Sequence, residues 1–124
     1  MPKKRYIKSL KQNPYPLISI ITVVYNNVSH IQKTLNSIYS QKYKNYEIVV
    51  IDGNSNDGTL QIIKKNKSKI NFWISEPDKG IYDAFNKGMK YSSGDYLGFV
   101  NSDDILMPNA LKILSRYIKR YPDV

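Results

Sequence analysis

Four short apolar runs, each followed by a polar break and then by a helix-period segment, constrain this chain more than any single motif. PLISIITVV (16–24) is a continuous β-branched run, the pattern of a strand covered on both faces. YEIVVID (46–52) is a second, INFWIS (70–75) a shorter third suited to a sheet edge, and DYLGFV (95–100) a fourth. Helical signals separate them. Ile31, Leu35 and Ile38 share a face after Ser29, which fits a capping box with Gln32. Asn56 or Asp57 can cap a helix from Thr59 to about Lys67. A third helix runs from Ile81 to Tyr91 with Ile81, Phe85 and Met89 aligned, and Ser92-Ser93-Gly94 ends it. Pro108 suits the first turn of a last helix whose inward stripe is Leu111, Leu114, Ile118 and Tyr121. The order β-α-β-α-β-α-β-α predicts an α/β fold, a mostly parallel sheet flanked by helices with right-handed crossovers.

A length of 124 residues suits one domain with a modest core. No apolar run is long enough to predict a membrane span, and no apolar stretch follows the basic N-terminus to make a secretory signal. The absence of cysteine excludes disulfides and thiolate chemistry, and fits a cytoplasmic location. The net charge of +9 is unevenly placed: residues 1–46 hold eight Lys or Arg and no acid. Residues 1–15 therefore read as a basic mobile arm ahead of a domain over 16–124. Three uses of the arm compete: a solubilising tail, peripheral contact with anionic lipid at the inner face of a membrane, or nonspecific attraction to nucleic acid. The aromatic residues are scattered and match no RNA-binding signature, so no specific nucleic-acid partner is expected.

In sheets of this kind ligands bind outside the carboxyl ends of the strands. Polar clusters lie at each of those ends: Tyr25-Asn26, Asp52 to Asp57, Glu76 to Gly80, and Asn101 to Asp104. They read as one site. No G-x-G-x-x-G follows a strand and no phosphate-binding G-x-x-x-x-G-K-[ST] is present. His30 is the sole histidine, whereas a zinc site needs several His or Cys ligands. Tyr25, Tyr82 and Trp73 are each a candidate for stacking on a base, or else core or rim residues. The adjacent carboxylates of Asp103 and Asp104 fit a solvated turn or helix cap when taken alone. Beside three other polar loops they fit a hard divalent cation, Mg²⁺ or Mn²⁺, that bridges a diphosphate and stabilises its departure.

Four stretches carry a family resemblance: SIITVVYNN, YEIVVIDGNSNDGT, ISEPDKGIYDAFNKGMKYSSGDYLGF, and VNSDD followed by MP and a helix. Residues 17–108 resemble the N-terminal, nucleotide-binding half of a family 2 glycosyltransferase with the Rossmann-like GT-A fold, apparently truncated. SEPDKGIYDAFNKG is similar to a branch found among bacterial enzymes of surface-polysaccharide synthesis. The resemblance implies metal-dependent, inverting transfer of a sugar from a nucleoside diphosphate donor, usually a UDP-sugar, to a saccharide or lipid-linked acceptor.

By the same resemblance, Val23, Val24 and Tyr25 hold base and ribose, and Asp52 stands near the uracil or ribose. Asn101-Ser102-Asp103 takes the place of the metal motif D-x-D, with Asp103 as metal ligand and Asp104 assisting. Lys79, Asp83 and Asn86 face the diphosphate and donor sugar. Two departures weaken the match. Gly53 stands where the family often has a second acid that contacts the base, and Asn101 replaces the first acid of D-x-D. The general base belongs beyond residue 124 in the family, so the alternative is a nucleotide-sugar-binding fragment without transferase activity. A half-domain would also leave apolar edges and faces open to self-association.

Overall fold

The β-branched run at the start of the domain forms β1, Ile18–Val24, in which every residue is buried. The chain continues through α1 (Ile31–Tyr39), β2 (Tyr46–Asp52), α2 (Thr59–Lys65) and β3 (Phe72–Ser75), then α3 (Ile81–Tyr91), β4 (Tyr96–Phe99) and α4 (Ala110–Arg120). This computed structural model describes residues 15–121, so the arm expected over 1–15 lies, apart from Tyr15, outside the described residues. The strands form one parallel sheet in the order β3-β2-β1-β4, an α/β arrangement with β3 at one edge, as anticipated.

Period-two alternation splits the core between the two faces of the sheet. Ile18, Ile20, Ile48 and Val50 pack with Ile31, Leu35 and Ile38 of α1, Ile63 of α2 and Leu111 of α4. Ile21, Val23, Val49 and Ile51 turn the other way and meet Ala84 of α3. The chain steps outward from β1 to β3, then crosses back under α3 to place β4 on the far side of β1. That reversal opens a crevice where β1 and β4 end.

Several local expectations need correction. Ser29 does not cap α1: the N-cap is His30, with no side-chain capping bond, and the Ser29 hydroxyl pairs with His30 Nδ1 instead. A missing cap costs about 1 kcal/mol. Burying Ile31, Leu35 and Ile38 completely gains roughly 1.5–3 kcal/mol each, so packing decides the helix.

In α3, of the aligned Ile81, Phe85 and Met89 only Phe85 packs against the core, and it is half-buried. Ile81 and Met89 are exposed, and the buried residues are Ala84 and Gly88. A Cβ on Gly88 would stand 2.3 Å from Ile21 Cγ2, so α3 approaches the sheet through its small residues.

In α4 the buried stripe is Leu111, Ser115 and Ile118, while Leu114 and Tyr121 remain exposed. Asn109 before it has φ 68°, outside helical geometry, so α4 starts at Ala110 and Pro108 falls in the preceding turn. The side-chain cap expected for α2 from Asn56 or Asp57 is not formed: its N-cap is Gly58, and Asp57, one residue earlier, accepts the Thr59 N–H at 3.0 Å in the turn ahead of the helix.

Candidate functional site

Register fixes which loops can meet. Val24 pairs with Asp52 and Asp52 with Ser75, so β1, β2 and β3 end on one row. β4 ends lower, beside Ile21, but the chain after it stays attached to β1. Val100 N–H donates to the Ile21 carbonyl at 3.0 Å and Ser102 N–H to the Val23 carbonyl at 3.2 Å. One residue further along β1, the Val24 carbonyl accepts the Gly53 N–H at 2.9 Å.

The crevice is a cleft of about 590 Å³ with three walls. Val23 to Asn27 form one, Asp78, Gly80, Ile81 and Ala84 the second, and Asn101 to Asp103 the third. Tyr25 is 63% exposed, which leaves its ring face open to a ligand. Asn101 Oδ1 is shut off from solvent and accepts no hydrogen bond among the described residues, whereas the neighbouring Asp103 carboxylate is exposed. A buried acceptor without a donor is costly and calls for a partner.

The loop that carries these oxygens is held from two sides. The Thr34 hydroxyl of α1 lies 2.7 Å from both the Ser102 and the Asp104 carbonyls, and Asn27 Nδ2 donates to Ser102 Oγ at 3.0 Å. The Asn27 N–H also donates to Thr59 Oγ1 at 3.0 Å, so Asn27 joins the β1, β2 and β4 loops. Asn26, with φ 48°, ties the β1 loop to the β2 loop, its side chain accepting the Asn56 N–H at 2.8 Å. The polar run N-N after β1 is therefore the mortar of the site. Ser102, expected to touch the donor, is buried and spends its hydroxyl on Asn27, although it contributes to the cleft wall.

Of the residues singled out from sequence, Val23, Val24, Tyr25, Asn101, Ser102 and Asp103 converge on the cleft. Asp52, Lys79, Asp83, Asn86 and Asp104 lie outside its lining. Asp52 is wholly buried: its oxygens accept the Ser55 hydroxyl at 2.5 Å, the Ser55 N–H at 2.9 Å and the Ser75 hydroxyl at 2.7 Å. It braces the β2–α2 turn against β3. Asp83 accepts the Lys79 N–H at 2.9 Å and lies 3.8 Å from Lys87 Nζ, which fixes the start of α3. Lys79 and Asn86 have exposed side chains, and Asp104 is exposed.

Asp78 is the acid that sequence reasoning passed over. Its Oδ1 accepts the Gly80 N–H at 3.0 Å in a turn that needs φ 116° at Gly80, a glycine conformation. Its Oδ2 lies 2.8 Å from the point where a Cβ on residue 53 would stand. The signal was present as an absence: Gly53 removes an acid from one loop, and E-P-D-K-G supplies one from the next.

Two ionisable groups, Lys87 of α3 and Asp57 of the β2–α2 loop, are shifted by their partners. Lys87 donates to the Pro77 carbonyl at 3.1 Å and pairs with Glu76 at 2.9 Å; its hydrogen bond to Glu76 raises its pKa. The Thr59 hydroxyl, 2.6 Å from Asp57 Oδ1, holds that carboxyl below its usual range. Among the described residues no three His, Cys, Asp or Glu side chains converge. A hard cation at Asp103 and Asn101 would take its remaining ligands from water and phosphate oxygens, as Mg²⁺ and Mn²⁺ do.

Known proteins are similar to this chain in sequence and fold. An uncharacterized glycosyltransferase of Mycobacterium tuberculosis is 39% identical over 90 residues, covering 72% of this chain and 34% of the relative. The Escherichia coli UDP-Glc:alpha-D-GlcNAc-diphosphoundecaprenol beta-1,3-glucosyltransferase WfgD is 36% identical over 98 residues, 78% of this chain and 39% of that protein. The crystal structure of S. aureus TarS 1-349 in complex with UDP-GlcNAc matches with a TM-score of 0.79 and 31% identity, covering 85% of this chain and 32% of the other. The chain thus spans about a third of the length of the relatives it matches. With a parallel GT-A sheet, these relatives, and a match to the glycosyl transferase family 2 model over residues 19–124, the chain belongs to glycosyl transferase family 2.

Proposed function

We propose that the cleft binds the nucleoside diphosphate of a sugar donor, UDP in preference to GDP, with Mg²⁺ or Mn²⁺ held at Asp103 and Asn101. The observation that carries this reading is the unpartnered, buried Asn101 Oδ1 beside an exposed carboxylate on a loop pinned to β1. Tyr25 offers a ring face to the base. Asp78 Oδ2, in the space left by Gly53, accepts an N–H from the base edge where the family often uses an acid at position 53. The uridine nucleotides in the names of WfgD and of the TarS complex favour UDP over other carriers.

The reaction in this reading is inverting transfer of the sugar to a saccharide or lipid-linked acceptor in cell-surface polysaccharide synthesis. A cation held by Asp103 and Asn101 would supply charge stabilisation to a departing diphosphate. Asp103 and Asn101 hold the ion, and Asp78 and Tyr25 fix the base; an inverting displacement also needs a base on the acceptor side. Neither cleft acid is free for that task, so the cleft accounts for donor binding.

Calorimetric titration with UDP and GDP, with and without Mn²⁺, tests the reading. Binding that requires the metal and prefers UDP is expected. Equal binding in the presence of a chelator, or none in a folded chain, overturns it.

A further inference from the structure

The outer side of α4 carries two parallel stripes. Lys112, Arg116 and Arg120 follow each other at four-residue spacing, and Ile113, Tyr117 and Tyr121 do the same one residue on. Residues four apart are neighbours along one side of a helix, so each set forms a continuous row. All six are exposed, and they point away from Leu111, Ser115 and Ile118, which face the core. The apolar row is a real surface: Ile113 is 62% and Tyr117 51% exposed, with the Tyr117 and Tyr121 rings 4.8 Å apart. The rows touch where the Arg120 guanidinium stands 5.8 Å from the centre of the Tyr121 ring.

Charge along this segment is of one sign. No Asp or Glu occurs from Ile105 to Tyr121, and Lys119 adds a fourth cation to α4. None of the four enters an ion pair among the described residues. A merely solvated helix face gains from alternating i,i+4 charges, whereas this one repeats like charges at that spacing and leaves isoleucine and tyrosine in water. An anionic bilayer surface would relieve both penalties. At an anionic headgroup layer the Ile113 and Tyr117 side chains reach the acyl boundary, while lysine and arginine stems extend to lipid phosphates. A nucleic acid would answer the cations and not Ile113. A second copy docked face to face would cover Ile113 and oppose four cations with four more.

We propose that α4 is an interfacial helix that docks the protein on an anionic bilayer surface, its apolar row inserted and its cationic row on lipid phosphates. The inference is independent of the donor-site reading, because vesicle binding needs no nucleotide.

Co-sedimentation with vesicles of phosphatidylcholine, alone or mixed with phosphatidylglycerol, tests it. Binding to the mixed vesicles only is expected. Replacing Lys112, Arg116 and Arg120 together by Gln should lower the partition coefficient by roughly a hundredfold. Replacing Lys3, Lys4 and Arg5 by Gln removes the same charge from the N-terminal segment and should cost much less. Equal losses in the two variants, or no binding by the unaltered chain, overturn the proposal. Insertion is read separately. The chain has no cysteine, so Tyr117→Cys takes a single environment-sensitive dye. A blue shift on mixed vesicles is expected. No shift, or a dye already shielded before lipid is added, overturns it.

Discussion

The carboxylate of Asp78 occupies the space that Gly53 leaves, its Oδ2 lying 2.8 Å from the place a residue-53 Cβ would take. The same Cβ would stand 3.4 Å from Tyr25 Cδ1, so one missing methyl joins the acid and the ring in a single pocket. Gly53→Ala should push the flexible Asp78 side chain aside at little cost in stability. UDP affinity should fall about tenfold, equivalent to roughly 1.4 kcal/mol, in a titration, with an unchanged thermal midpoint. Unchanged affinity would remove Asp78 from the base pocket.

The two neighbouring aspartates should behave differently. Asp103 lines the cleft, whereas Asp104 lies outside its lining and its backbone is tied to Asn101 and Thr34. Asp103→Asn should abolish metal-dependent nucleotide binding while leaving the unfolding curve in place. Asp104→Asn should bind nearly as the parent does. Equal losses in both variants would move the cation site.

Packing beneath the site gives a stability test. A methyl on Gly88 meets Ile21 Cγ2 at 2.3 Å, within a contact between α3 and β1. Gly88→Ala should cost about 1–3 kcal/mol in urea unfolding through overpacking. In an Ile21→Ala background, which removes the clashing group, the same change should cost less, a non-additivity that a double-mutant cycle measures. Simple addition would show that backbone, rather than Ile21, resists the methyl.

Stability should decline at both ends of the pH scale for identifiable reasons. The Thr59 hydroxyl, helped by the Thr59 and Val28 N–H groups, lowers the Asp57 pKa below 3.8 in the folded chain. Its contribution is therefore present above the ordinary carboxylate value and lost as pH falls through the lowered one. Glu76 raises the Lys87 pKa above 10.5, so that contribution is whole below the ordinary lysine value and lost as pH rises through the folded one. Denaturant unfolding across pH should show a shallower acid limb for Asp57→Asn and a shallower alkaline limb for Lys87→Gln. Parallel curves for parent and variants would assign the losses to other groups.

The sheet was legible because Ile18–Val24 and Tyr46–Asp52 are β-branched runs whose burial outweighs local alternatives. The helix faces were less so. In α3 the small residues Ala84 and Gly88 meet the sheet more closely than large ones can, so of the aligned Ile81, Phe85 and Met89 only Phe85 reaches the core. Half of the site followed from strand ends, because Tyr25 and Asn101 to Asp103 are placed by β1 and β4. The other half depended on which polar side chains are consumed internally. Asp52 and Asp83 look available in the sequence, yet backbone and hydroxyl donors take their oxygens. Asp78 is set by the missing side chain at Gly53, a relation between loops that no local pattern records.

The carbonyls of Val23 and Val24 anchor the β4 loop and the β2 loop respectively. Adjacent α-carbons are about 3.8 Å apart, a spacing that covalent geometry does not let drift. The end of β1 thus works as a gauge on which the pocket at Gly53 and the oxygen cluster at Asn101 are marked off. Substitutions within either loop can reshape it, while the two anchor points stay one residue apart on the central strand.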